Sequence, residues 1–236
     1  MTPQQLTEQL HAACGPNLRS VMLYGSAVTG DHLGKRSDYN VLVVLDRLGP
    51  DELQALSSLA RRWVKAGHPA PLLWTRVGLA KSAAVFPMEI ADIQAGHEVL
   101  FGDDVVRDLP VHTANLRLEL EHELKGKLLQ LRQRYLLTHG TPRRVTELMI
   151  RSLSTFLVLC RGALRLYQQE VPANKMAALS ALAQHVPVDT KVFETIHQLK
   201  AGRKVSGVVP EALFAQYLRA METISEAVDV QLHPRT

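Results

Sequence analysis

The sequence predicts two domains, an N-terminal domain that mixes strands with helices and a C-terminal bundle of helices. Short apolar runs alternate with amphipathic stretches through residue 101, which is the pattern of a domain built from both element types. Segment 102–112 is polar and has the apolar periodicity of neither a helix nor a strand, so it marks a boundary between domains. Beyond it apolar residues recur at helical spacing, which predicts about five helices. We therefore assign residues 1–105 to the first domain and residues 113–236 to the second.

Caps, apolar spacing and helix breakers predict the elements of the first domain. Thr2 is suited to cap a helix whose first residue is Pro3, and Gly15 ends it. A longer helix is expected over 50–65 and a short one over 79–85. The inner side of the longer helix is expected to carry Leu53, Leu56, Leu59 and Trp63. Apolar runs predict strands at 19–24, 39–45, 72–76, 88–93 and 99–101.

The second domain is predicted from leucine spacing and from prolines. A first helix over 116–137 places one leucine row on a single face, namely Leu116, Leu120, Leu124, Leu128 and Leu131. Thr141 precedes a proline and caps a second helix that runs to Tyr167. Three further helices are expected over 173–185, 188–200 and 210–231, because prolines separate them. The residues of the second helix that are expected to lie in the core of the domain are Leu153, Phe156, Leu157, Leu164 and Tyr167.

Composition indicates a folded globular protein. Of the 236 residues, 46% are hydrophobic and 21% are charged, which is typical of globular domains and not of disordered chains. The longest apolar runs, such as 41–45, are too short to cross a bilayer, and no secretory signal is visible. Cys14 and Cys160 lie far apart without metal-ligand spacing, so reduced thiols and a cytoplasmic location are expected.

The positive charge is concentrated in the second half of the chain. Residues 1–112 hold 10 Lys and Arg against 12 Asp and Glu, whereas residues 113–236 hold 17 against 11. A basic half can face an anionic partner such as nucleic acid or nucleotide phosphates. Solvated helix faces also carry many Lys and Arg side chains, and this interpretation is favoured. Charge alone therefore does not make nucleic acid the expected partner.

The segment 21–46, VMLYGSAVTGDHLGKRSDYNVLVVLD, is the most informative about chemistry. A strand ends at Gly25 and Ser26, eleven residues follow, and Asp38 then precedes the next strand with Asn40 two residues later. A glycine lets the backbone approach a phosphate closely, and amides that open a helix turn can receive the anion. Side chains two apart on a strand point the same way, so they can bind the same ions.

This segment resembles the signature of the nucleotidyltransferase superfamily of the polymerase-β type, which includes minimal and aminoglycoside nucleotidyltransferases. That signature reads apolar, Gly, Gly or Ser, a loop, then acid, apolar, acid. The resemblance covers about residues 1–102 and implies an α+β domain with a mixed sheet and flanking helices, joined to an all-α bundle. It implies a nucleoside triphosphate as ligand and Asp38 as catalytic residue and Mg²⁺ ligand. The nucleotide-binding residues that it implies are Gly25, Ser26, Lys35, Ser37 and Asn40.

The expected metal site departs from the superfamily pattern. Asp38 occupies the first acidic position, but the second holds Asn40, whose neutral amide is a weaker ligand for Mg²⁺. The predicted strand 72–76, where a third acid belongs, contains none. Glu89 and Asp92 are the nearest later acids, but 86–93 resembles a closing strand of the family and not the strand of the third acid.

Three functions are compatible with this pattern. The favoured interpretation is a nucleotide-binding protein with a degenerate metal site, which acts as a binding or regulatory module. The first alternative is an active nucleotidyltransferase that moves a nucleoside monophosphate to a hydroxyl group. The second is an interaction protein of the toxin–antitoxin type, with a protein partner or a second copy of the chain. Fold alone does not choose among them.

The helical domain contains a second, looser motif. Helical partners of minimal nucleotidyltransferases often belong to the HEPN class, whose ribonuclease members carry Arg, four to six residues and His on one helix. Arg134 and His139 have this spacing. The polar residue that usually follows the arginine is absent, and His139 stands at the predicted helix end, where histidines commonly bind free carbonyls. The ribonuclease pair is therefore the less favoured hypothesis.

Overall fold

The computed structural model describes residues 1–29, 38–168 and 170–230. The chain forms two compact units, Met1–His112 and Thr113–Thr236. The first unit contains a sheet with flanking helices, and the second contains helices alone in its described part. This confirms the predicted fold class. The assignment of residues 1–105 and 113–236 to separate domains stays a prediction.

The first unit is built on a four-stranded mixed sheet. Its strands are β1 (Leu18–Tyr24), β2 (Asn40–Leu45), β3 (Leu72–Thr75) and β4 (His97–Gly102), in the order β3-β2-β1-β4. β1 pairs antiparallel with β2 and with β4, whereas β2 pairs parallel with β3. The central strands β1 and β2 are almost wholly buried, as their continuous apolar runs predict.

In the described part of the first unit, five helices accompany this sheet: α1 (Pro3–Cys14), α2 (Ser26–Thr29), α3 (Pro50–Lys65), α4 (Arg76–Ser82) and α5 (Pro87–Ala95). Helix α1 begins as predicted, because Thr2 and Gln5 form a capping box in which each side chain accepts the other's backbone N–H, at 3.2 and 3.0 Å. A short 3₁₀ turn, Gly15–Asn17, links α1 to β1.

Side-chain alternation on the strands divides the apolar core into two layers. Val41 and Val43 face the layer that contains Leu6 of α1 and Trp63 of α3. Leu42 and Val44 face the opposite layer, where Leu79 of α4 and Ile90 and Ile93 of α5 cover the sheet. The two faces of the sheet are therefore covered by different helix pairs.

Two predictions for the first unit are wrong. Residues 88–93 form most of helix α5 and not a strand. Pro87 stands at the first helical position, and Ile90 and Ile93 lie on the buried side at helical spacing. Leu53 is 50% exposed and not on the inner side of α3. The buried face of α3 begins at Leu56, because the first turn of the helix contributes no buried side chain.

The second unit contains five helices in its described part, as predicted. They are α6 (Thr113–Leu136), α7 (Pro142–Leu164), α8 (Lys175–Leu182), α9 (Lys191–Lys200) and α10 (Pro210–Val230). The five predicted leucines of α6 are all buried. Helix α7 ends before Tyr167, whose ring stacks on that of His185 at a centroid distance of 5.0 Å. None of the described helices is long and apolar enough to cross a membrane.

Candidate functional site

The Gly-Ser turn lies at the edge of the sheet where β1 ends and β2 begins. Tyr24 and Asn40 are directly paired across these two antiparallel strands. Gly25 follows with a φ of +80°, and the backbone N–H of Val28 donates to its carbonyl at 3.0 Å. The chain therefore turns sharply from β1 into the single turn of α2, which begins at Ser26. We call this region the signature edge.

The side chain of Asn40 lies directly against Gly25. A Cβ atom built on Gly25 would stand 3.0 Å from Nδ2 of Asn40, and side chains rarely adopt the φ of this glycine. Asn40 is in phase with Leu42 and Val44 along β2, so it belongs to the face that α4 and α5 cover. An amide therefore stands at the second acidic position of the pattern, next to the turn.

The backbone beside Asp38 is held by an aromatic cluster of Tyr39, Trp63 and His68. Asp38 itself is exposed. The N–H of Tyr39 donates to Nδ1 of His68 at 3.3 Å. The His68 ring lies 4.9 Å from the ring of Tyr39 and 4.1 Å from that of Trp63, measured between centroids. Trp63 is fully buried, and its Nε1 donates to the carbonyl of Pro69 at 2.9 Å. These contacts hold the backbone of Tyr39 just before the start of β2.

The carboxylate of Glu89, on α5, acts electrostatically on a residue at the signature edge. The side chain is exposed, and its negative charge acts on the hydroxyl of Tyr24. Burial first, and the carboxylate of Glu89 second, raise the pKa of Tyr24 to about 12. Tyr24 is therefore a neutral phenol at physiological pH. Asp92 is half-buried on the same helix.

A histidine that contacts an aspartate lies on the strand next to Tyr24, on the side away from β2. His97 begins β4 and is paired with Tyr24 across the sheet. Its Nδ1 lies 2.9 Å from the carbonyl of Ile93, and its Nε2 lies 3.1 Å from Oδ2 of Asp104. Burial opposes the charge of Asp104, but the bonds from His97 and from the Arg107 amide outweigh it and lower the pKa of the carboxyl.

The donor set of the described residues does not fit a two-metal centre. Strand β3 pairs with β2 only from Leu72, opposite Leu42, onward, so none of its residues lies beside Asn40. Nor does β3 contain an acid. Across residues 1–29, 38–168 and 170–230, no three His, Cys, Asp or Glu side chains are grouped as metal ligands. Of the signature positions that the structure describes, Asp38 alone supplies the carboxylate that Mg²⁺ prefers.

No protein-family model matches the chain, and no curated protein sequence matches it. Among solved structures, a spectinomycin adenyltransferase from Enterococcus faecialis, determined with ATP and spectinomycin, is similar with a TM-score of 0.61. The match covers 96% of this chain and 98% of that chain, at 12% sequence identity. The chain has a nucleotidyltransferase fold. The predicted fold is thereby supported, and the match extends over both compact units.

The structure brings some of the predicted site residues of the nucleotidyltransferase fold together. Gly25, Ser26 and Asn40 meet at the signature edge, and Asp38 lies just before β2. Their roles stay predictions. Two further predicted nucleotide-binding residues, Lys35 and Ser37, lie outside the described residues.

The predicted HEPN-type pair does not share a helix. Helix α6 contains Arg134 and ends at Leu136, whereas His139 lies in the following turn with a φ of +52°. The HEPN-like class of the helical unit stays a prediction. Sequence reasoning also missed His68 and His97, because neither stands in a recognisable motif. The helical start of α5 could have been recognised from Pro87.

We expect Gly25→Ala to destabilise the chain more than Gly67→Ala. Both glycines have positive φ, of +80° and +97°, but the added methyl of Gly67→Ala meets nothing within 4 Å. Strain alone costs about 1–2 kcal/mol of unfolding free energy, and the contact with Asn40 adds to it in Gly25→Ala. Urea unfolding of both variants measures the difference. In the Asn40→Ala background, the difference in unfolding free energy between the two glycine variants should be smaller. Equal losses of unfolding free energy in Gly25→Ala and Gly67→Ala would show that Asn40 does not constrain Gly25.

Proposed function

We propose that the chain binds a nucleoside triphosphate at the signature edge and acts as a binding or regulatory module, without efficient nucleotidyl transfer. The observation that supports this proposal is the amide of Asn40 against Gly25, where the superfamily pattern has a carboxylate. The glycine leaves room for a close approach of phosphate to backbone. The carboxylates that would collect two cations are reduced to Asp38 among the described signature positions.

The expected loss of catalysis follows from electrostatics. In-line phosphoryl transfer with two metal ions needs carboxylates that hold both ions while charge develops on the entering and leaving oxygens. An amide contributes a neutral oxygen, so it does not offset the charge of a divalent ion. Losing one such ligand is expected to cost roughly a thousandfold in rate, or about 4 kcal/mol of transition-state stabilisation. Binding of the triphosphate tolerates this loss better than catalysis does, since it also uses contacts to backbone and base.

We expect the affinity for ATP to depend only weakly on Mg²⁺ in the wild type and strongly in Asn40→Asp. Isothermal titration with ATP, in EDTA and in Mg²⁺, should give dissociation constants within about threefold of each other for the wild type. Asn40→Asp places a second carboxylate two residues from Asp38, so Mg²⁺ should strengthen ATP binding by about tenfold or more.

Asn115→Asp is the charge-matched control, because it adds one carboxylate in α6 of the other unit. It should reproduce the wild-type dependence on Mg²⁺. Absence of saturable binding for all four nucleoside triphosphates would contradict the proposal. A strong Mg²⁺ dependence in the wild type would show that other acids complete the metal site.

An active nucleotidyltransferase is the second candidate function. The near-complete match to an adenyltransferase favours it, as does the charge that Glu89 brings to the signature edge. Incubation with labelled triphosphates, Mg²⁺ or Mn²⁺, and hydroxyl acceptors tests it. Turnover that disappears in Asp38→Ala and in Glu89→Gln would establish this function, and would replace the binding module. The interaction-protein alternative would be supported by co-purification of a partner chain.

A further inference from the structure

A cationic cavity opens within the all-helical unit, between α6 and α7. Its volume is about 220 Å³. Three positively charged side chains line it, together with three neutral side chains that can form hydrogen bonds: Lys127, Arg134 and Arg151, with Gln130, Ser152 and Thr155. Buried apolar side chains, Phe156 among them, complete the lining. Among the described residues that line the cavity there is no aspartate or glutamate, so this lining carries one sign of charge.

The two arginines of the cavity differ from their neighbours on the same helices. Arg132 on α6 donates to Glu222 at 2.8 Å, and Arg143 on α7 donates to Glu147 at 3.0 Å. In the part of the chain that the structure describes, the side chains of Arg134 and Arg151 form neither a hydrogen bond nor an ion pair. Their guanidinium groups are therefore available to a ligand.

Among the described residues, neither of these arginines has an acid as its ion-pair partner. Glu147 lies one turn before Arg151 on α7, but it binds Arg143 instead. Lys127 is paired with Glu123 at 3.5 Å, which is a long contact. Like charges gathered around one cavity destabilise each other, and a bound anion relieves this repulsion. A guanidinium group also offers parallel N–H donors that match the oxygens of a phosphate.

We propose that this cavity binds a small phosphorylated molecule, whose phosphate contacts Arg134 and Arg151. Gln130 and Thr155 provide hydrogen bonds for hydroxyl groups, and the apolar lining accommodates a short carbon skeleton. Ser152 already contacts the hydroxyl of Tyr217 at 3.2 Å, so it contributes less. The cavity is smaller than the roughly 300–1,000 Å³ typical of sites for drug-sized ligands. A phosphomonoester of a small sugar therefore fits the volume better than a nucleoside triphosphate does.

Calorimetric titration with inorganic phosphate and with ribose 5-phosphate, at constant ionic strength, tests the proposal. Both probes should bind saturably to the intact chain, and ribose 5-phosphate should bind more tightly. Arg134→Gln and Arg151→Gln should each weaken binding by about tenfold or more. Both arginines are exposed, so these variants are expected to fold, and circular dichroism checks this.

Arg132→Gln and Arg144→Gln are the matched controls, since they remove the same charge from the same helices outside the cavity lining. They should change the dissociation constants by less than about twofold. Equal losses in controls and cavity variants would overturn the proposal, because they would indicate general charge attraction. Acetate binding as tightly as phosphate, or no saturable binding of either probe, would also overturn it. Wild-type ATP affinity in both cavity variants would show that this site is distinct from the signature edge.

Discussion

Gly102→Ala is expected to destabilise the first unit severely. The added Cβ would lie 1.8 Å from the backbone carbonyl oxygen of Arg19, at a φ of +73°. Real atoms do not approach so closely, and the neighbour is backbone of the paired strand β1, which cannot rotate away. Relief requires that β4 separate from β1 at this end of the sheet. The cost should exceed about 4 kcal/mol, a large part of the roughly 5–15 kcal/mol that stabilises a typical domain.

The measurement for Gly102→Ala is urea unfolding followed by circular dichroism, with Gly67→Ala as the control for positive φ alone. The control should lose about 1 kcal/mol and keep a cooperative transition. Similar losses of unfolding free energy in the two variants would show that Gly102 does not lie close to the backbone of Arg19. The register of β4 against β1 would then need revision.

Trp63→Ala is expected to have the second largest effect. It empties a fully buried site in the layer beneath α3, removes the bond to Pro69, and leaves the rings of His68 and Tyr39 without their neighbour. Truncation of a buried tryptophan costs about 3–5 kcal/mol. Because Tyr39 directly follows Asp38, the loss should also loosen the backbone at the signature edge.

Chemical denaturation measures the stability of Trp63→Ala, and amide hydrogen exchange at Tyr39 measures the local effect. Trp74→Ala serves as the matched control, since Trp74 is only half-buried and belongs to the opposite layer. It should cost less and leave exchange at Tyr39 unchanged. Equal exchange rates at Tyr39 in both variants would show that the aromatic cluster does not fix this segment.

Local signals in the sequence predicted the helices of the first unit where caps and breakers are strong. The capping residue Thr2 and the proline after it define the start of α1, and Pro50 defines the start of α3. Helix α5 was not predicted, because segment 88–93 is a short and mostly apolar run, which fits a strand as well as a buried helix. Packing of Ile90 and Ile93 on the sheet settles the choice in favour of the helix.

The signature edge was predictable only in part. The sequence predicted that one strand ends before Gly25 and that the next begins after Asp38, and the structure pairs Tyr24 with Asn40 at these strand ends. The contact of His68 with the Tyr39 amide could not be predicted, because it joins residues 29 positions apart and the loop that contains His68 has no recognisable pattern. The effect of Glu89 on Tyr24 likewise depends on how α5 covers the sheet, which no local signal encodes.

The shortness of β3 has a consequence for any attempt to build a two-metal site at the signature edge. Changing Asn40 to aspartate would be one substitution, but β3 starts level with Leu42 and offers no backbone beside Asn40 on which to place another acid. A designer would have to lengthen that strand or recruit a side chain from α5, where Glu89 already stands. Completion of a two-metal site is thus limited by the reach of the main chain, and no point variant within β3 should place a metal ligand beside Asn40.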